Sequence, residues 1–183
     1  MSDIPFAPQY FRKHFHLQKL LERAHGVGRA NWQDIPKLPG IYAVYWPTSE
    51  KLAFQNHSGQ AQYATTVDPM ILESKWNRIC QYGSTDIIYI GKGDNLKKRI
   101  RYLIRFGIGV AKNHEGGEWM WQISNIAASK LMIQTCPKGK QIAFENALLE
   151  KFYIDHDDFP LANRKGTDGV ARWMPHPEKN NRI

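Results

Sequence analysis

The chain has 183 residues, 42% of them hydrophobic, which suits one globular domain with a core of its own. Its 25 basic residues outnumber the 17 acidic ones and give a net charge of +8, which favours a polyanionic partner over a neutral small substrate. Cys80 and Cys136 form no CxxC pair, so neither a disulfide framework nor a zinc site is predicted, and a reducing cytoplasm is expected. No run approaches the ~20 apolar residues that span a bilayer, so no membrane partner is expected.

The N-terminal region, residues 1–37, is predicted to be a helix and a linker. Apolar residues between positions 9 and 25 recur at mixed helical spacing, and Gly26 is a suitable C-terminal stop. Such a helix packs on the domain as a lid, or it contacts nucleic acid through Arg12, Lys13 and Arg23.

Two apolar runs predict strands on either side of a long polar segment. The first, Ile41 to Trp46, follows Pro39, and the second, Ile87 to Ile90, ends abruptly at Gly91. Residues 47–85 lie between them as an insertion, with an apolar patch from Val67 to Trp76 that predicts one short helix. A connection of this length either shapes substrate choice or is only a surface loop.

A basic helix is predicted directly after the second strand. Asp94 and Asn95 are good N-cap residues, and leucines and isoleucines follow at helical spacing. Four basic residues lie off this apolar stripe and are candidate nucleic-acid contacts: Lys97, Lys98, Arg101 and Arg105.

The remaining elements complete an α+β pattern. Trp119, Trp121 and Ile123 alternate like a half-buried strand, residues 130–135 predict another strand, and residues 142–156 predict a helix. We therefore expect a small central, mainly antiparallel sheet of three to four strands flanked by helices.

The last predicted helix carries two acidic candidates for a metal ligand. At about 100° per residue, its apolar stripe lies around the direction of Glu145, whereas Glu150 points roughly 140° away. A carboxylate on the inward face needs a cation beside it, either a metal ion or a lysine or arginine. The helical spacing favours Glu145.

The order of several short motifs resembles the GIY-YIG nuclease family. The chain contains Gly40-Ile41-Tyr42, then Tyr89-Ile90-Gly91, and then Arg99 eight residues after Gly91. Lys92 is similar to the lysine of the excision-repair branch. The resemblance spans residues 38–166 and leaves 167–183 as a basic tail that is solvated or contacts phosphates. In the family the two triplets usually lie close together on a hairpin, whereas in this sequence the insertion of residues 47–85 lies between them.

The resemblance implies a metal-dependent endonuclease that hydrolyses phosphodiester bonds, with DNA, and double-stranded DNA in particular, favoured over RNA. Its implied site residues comprise a water-activating Tyr42 supported by Tyr89, the phosphate-binding cations Lys92 and Arg99, Glu145 as the ligand of one Mg²⁺ or Mn²⁺, and Asn163 in a supporting position. His114, in a His-x-Gly-Gly segment, resembles a residue found in some members, although it also suits an exposed loop.

Two alternatives stay open within the resemblance. The spacing from Glu145 to Asn163 matches one subset of the family, whereas Glu150 matches the shorter spacing of the excision-repair branch. The histidine often found one turn after the family's arginine is replaced by Leu103. Because of this departure, a second function stays open: a nucleic-acid-binding module of the same fold that has no catalytic activity. In such a module the tyrosines would be core aromatics.

Overall fold

A four-stranded antiparallel sheet forms the centre of the protein in the computed structural model, which describes residues 13–26, 32–47, 51–83, 85–112 and 116–164. The strand order is β1-β4-β2-β3. The strands are β1 (Lys13–His16), β2 (Gly40–Tyr45), β3 (Ile87–Gly93) and β4 (Lys130–Thr135), and the α-helices are α1 (Leu17–Ala24), α2 (Pro69–Gln81), α3 (Leu96–Gly107) and α4 (Gln141–His156). The expected α+β class with a small antiparallel sheet and flanking helices is confirmed.

Strand β2 is one of the two inner strands of this sheet, because it pairs with both β4 and β3. Its register sets Tyr42 opposite Gly91 and Val44 opposite Tyr89, followed by an irregularity at Tyr45. Strands β2 and β3 pair directly although the long insertion lies between them in the sequence. Their register is fixed because a shift of one residue would turn the apolar side chains of each strand away from the core.

The sheet is covered on both faces. Tyr42 and Val44 share a buried cluster with residues of α1 and α3. Ile41 and Ala43 point the other way and pack with apolar residues of α4. Because successive strand residues face opposite sides, each side chain of β2 is assigned to one of these two layers.

The N-terminal prediction was partly wrong. Residues 13–16 form the edge strand β1, paired with β4, and only Leu17–Ala24 are helical, while positions 9–12 lie outside the described residues. Phe15 contributes to the core from the strand rather than from a helix. Backbone pairing with β4, a contact distant in sequence, outweighs the local helical spacing.

The strand predicted at Trp119–Ile123 is also wrong. Glu118–Gln122 form a 3₁₀ helix, and Ile123 alone makes an isolated bridge, to Phe54 of the insertion. The side chain of Gln122 bonds the insertion backbone, donating to the carbonyls of Gln55 and Val67 and accepting from the amide of Val67. A buried amide side chain thus replaces the strand pairing that the alternation suggested.

The helix predicted in the insertion is confirmed as α2. Asp68 caps it by accepting from the amide of Met70 at 2.8 Å, and Pro69 occupies the first turn. None of the helices in the described ranges is both long and apolar enough to cross a bilayer.

Candidate active site

Two tyrosines meet on the face of the sheet that α3 covers. Their ring centroids are 5.8 Å apart and the rings meet edge to face at 64°. Tyr42 is fully buried and Tyr89 is 3% exposed. Burial raises the pKa of both phenols, and the Arg99 guanidinium partly offsets this rise. Both phenols are therefore neutral at physiological pH.

Glycines make room for these side chains. A Cβ at Gly91 would lie 2.6 Å from Cζ and 2.7 Å from the hydroxyl oxygen of Tyr42, closer than real contacts allow. A Cβ at Gly93 would lie 2.8 Å from the Cβ of Arg99. The glycines of the Tyr-Ile-Gly-Lys-Gly segment are thus a steric requirement for placing the tyrosine and the arginine above β3.

Arg99 reaches this site from the first turn of α3. The helix begins after Asn95, whose side chain accepts from the amide of Lys98 at 2.9 Å. The amides of Leu96 and Lys97 donate to the carbonyls of Leu38 and Pro36. These bonds fix the start of the helix against the segment before β2, so the direction of Arg99 is set by the fold.

Glu145 of α4 forms an ion pair with Lys92, near the end of β3. It is 6% exposed, whereas Glu150 of the same helix is exposed, as the helical spacing predicted. Burial raises the pKa of Glu145, while Lys92 and Arg99 act against that rise. Glu145 in turn raises the pKa of both tyrosines, as the smallest of the causes that act on each. The carboxylate, the guanidinium and the phenols therefore share one electrostatic neighbourhood around the end of β3.

Asn163 contacts the backbone rather than these side chains. Its side chain donates to the carbonyl of Ile90 and accepts from the amide of Ile90, both at 2.9 Å. Ala162 donates to the carbonyl of Ile88. Because β3 is an edge strand, this segment satisfies its outer backbone groups and holds Gly91, the next residue, in place.

Sequence reasoning missed the lysine that holds this segment. Lys75 of α2 donates to the carbonyls of Pro160, Leu161 and Asn163 at 3.0–3.2 Å. Burial lowers its pKa to about 8, with Asp158 acting in the opposite direction. One basic residue within a polar insertion gives no local signal for such a role, because its partners lie far along the chain.

The basic residues of α3 do not join the tyrosines. Lys98, Arg101 and Arg105 are exposed and Lys97 is half-buried. Leu103 is fully buried in the core. His114 and the tail from residue 165 onward lie outside the described residues, so their predicted contacts stay predictions.

The chain matches no protein-family model, and no curated protein and no solved structure shows significant similarity to it.

Proposed function

We propose that this protein is a metal-dependent endonuclease of the GIY-YIG type that hydrolyses phosphodiester bonds, with DNA favoured over RNA. The observation that supports this proposal is the convergence of five predicted residues around the end of β3. They come from β2, β3, α3 and α4, and they are Tyr42, Tyr89, Lys92, Arg99 and Glu145. Cations can stabilise the charge that develops on a phosphate, a carboxylate can hold a divalent ion, and phenols can position a water molecule, so this set supports phosphodiester hydrolysis.

Each group has a chemical part in the proposed reaction. The Arg99 guanidinium binds the non-bridging phosphate oxygens and stabilises the negative charge that develops there. Tyr42, backed by Tyr89, holds the attacking water, and loss of a proton from this phenol needs a cation nearby because its pKa is raised by burial. Lys92, whose side chain is 33% exposed, can turn from Glu145 toward the phosphate.

The donor set fits a single hard divalent ion. Mg²⁺ is commonly held by one or two carboxylates with water and phosphate completing its coordination. Glu145 would be that carboxylate, and it would act alone, because the described residues contain no group of three or more potential metal ligands. When bound, Mg²⁺ or Mn²⁺ would supply positive charge beside the leaving oxygen. Glu145 must then exchange Lys92 for the ion.

A plasmid-nicking assay with a matched pair of variants tests the proposal. Supercoiled DNA and a structured RNA are incubated with the protein in Mg²⁺, in Mn²⁺ and in EDTA. We expect metal-dependent DNA nicking that Glu145→Gln and Arg99→Ala abolish and that Glu150→Gln retains, because Glu150 is exposed on the same helix. Loss of nicking in Glu150→Gln alone would show that Glu150, and not Glu145, is the metal ligand. Preferential cutting of the RNA would show that RNA is the preferred substrate.

A catalytically silent nucleic-acid-binding module is the second candidate. Two observations favour it: Leu103 is part of the core where the family often has a histidine, and Lys92 already neutralises Glu145. Binding of DNA without cleavage in either metal would select this candidate.

A further inference from the structure

Helix α3 presents two different surfaces. At about 100° per residue, Arg101 and Arg105 lie roughly 160° and 120° around the helix from Arg99. Arg99 is directed toward the buried tyrosines, whereas these two arginines are exposed. The basic stripe of α3 is therefore a surface separate from the candidate active site.

Two recesses lie side by side along this basic stripe. Each has a volume of about 310 Å³. The first is lined mainly by α3 and by Lys37, and the second by α3, the end of α1 and Trp32. Arg101 and Arg105 line both recesses, so the two meet at these arginines. We name them together the α3 groove.

The lining of the α3 groove combines cations with one aromatic ring in each recess. The first recess contains Tyr102, which is 46% exposed, and the second contains Trp32, which is half-buried. Ala24 and Val110 add apolar surface to the second recess. Among the described residues that line the groove none is acidic.

The position of Lys37 is fixed by the backbone. Its neighbours Pro36 and Leu38 accept hydrogen bonds from the first two amides of α3, at 3.1 and 3.0 Å. This part of the groove is preformed, which lowers the ordering cost of binding.

We propose that the α3 groove binds a segment of single-stranded nucleic acid, with successive bases against Tyr102 and Trp32 and the phosphate between them on Arg101 and Arg105. Positive grooves with aromatic platforms are the usual means of holding a single strand, because every base has a face that stacks. A volume of about 310 Å³ is at the lower end of small-ligand sites, a size for one base rather than for a duplex.

This inference deepens the proposed nuclease function, because it names the substrate as nucleic acid with a single-stranded arm. The arm would lie in the α3 groove while the scissile phosphate lies near Arg99 on another side of the helix. Loss of the groove would then raise KM while leaving kcat nearly unchanged.

Fluorescence anisotropy in EDTA tests the groove without cleavage. The probes are a labelled oligothymidine, its duplex with oligoadenosine, and a labelled oligouridine. We expect the single strands to bind more tightly than the duplex. Tyr102→Ala should weaken single-strand binding about 5- to 150-fold, the usual range for one stacked base, and Tyr102→Phe should retain it. Arg101→Glu combined with Arg105→Glu should weaken binding at least about 10-fold and reduce its salt dependence.

Lys130→Glu is the matched control, because Lys130 is exposed, does not line the α3 groove, and pairs with Tyr45 at the end of β2 opposite to the start of α3. It carries the same type of charge change and should leave binding near the wild-type value. Photocrosslinking of an iodouracil-substituted strand should label Tyr102, which gives a second measurement in the unaltered protein.

The proposal is overturned if the duplex binds as well as the single strand, if Tyr102→Ala has no effect, or if crosslinks avoid the α3 groove. A thymidine strand binding better than the uridine strand supports a DNA arm, and the reverse supports an RNA arm. Tight single-strand binding that depends on Tyr102, together with no cleavage in any metal, would support the groove and refute the nuclease. Metal-dependent cleavage without single-strand binding that depends on Tyr102 would support the nuclease and refute the groove.

Discussion

Replacing Gly91 by alanine should move Tyr42 and thereby affect both stability and the candidate active site. The new methyl carbon would start 2.6 Å from Cζ of Tyr42, whereas ordinary contacts begin at 3.4 Å. The ring must therefore retreat by roughly 0.8 Å, because the neighbouring core is closely packed. Overpacking of this kind costs about 1–3 kcal/mol, equivalent to a fall in Tm of roughly 2–12 °C for a chain of this size.

The same displacement should reduce nicking more than it reduces stability. A misplacement of about 1 Å in a reacting group can cost about 100-fold in rate. Thermal unfolding and plasmid nicking are measured on Gly91→Ala, on Tyr42→Leu and on the double variant. Since leucine makes room for the methyl group, the double variant should be more stable than the sum of the two single effects predicts, by about 1–2 kcal/mol. Nicking should stay lost in the double variant.

The reasoning would be refuted by additive effects in this double-mutant cycle. It would also be refuted if Gly91→Ala were more stable than the wild type. That gain of about 0.4–1 kcal/mol is what alanine for glycine gives where nothing obstructs the new methyl group.

Three further predictions concern the groups that support the site. Asn163→Ala should destabilise the protein by about 2–4 kcal/mol, because two backbone groups of Ile90 lose their partner, and hydrogen exchange of the Ile90 amide should accelerate; an unchanged exchange rate would contradict the contact. Burial lowers the pKa of Lys75 to about 8, so above that pH the unfolded chain binds more protons than the folded protein. The free energy of unfolding of the wild type, measured in urea, should therefore rise relative to that of Lys75→Met by up to about 2 kcal/mol between about pH 8 and pH 10. A difference between the two proteins that does not change with pH would contradict the burial. Because burial raises the pKa of Glu145, the wild type should gain stability relative to Glu145→Gln as the pH is lowered, measured by thermal unfolding without metal; the opposite Tm trend would contradict the burial.

Local patterns in the sequence determined most of the elements around the site. The apolar runs of β2 and β3, the stripe of α3 and the spacing of α4 are properties of consecutive residues, so strand period and helix period identified them. The same helix period placed Glu145 inward and Glu150 outward, and both positions are confirmed.

Only the tertiary structure decided the contacts that join distant parts of the chain. Residues 13–16 became a strand because β4 offered a free edge, and Gln122 took the place of a strand because its amide reaches the insertion backbone. The ion pair of Lys92 with Glu145 and the position of Trp32 in the α3 groove depend on how the elements pack against each other. Sequence periodicity reports which side of an element is buried, whereas the partner on the other side depends on topology and on close packing across the chain.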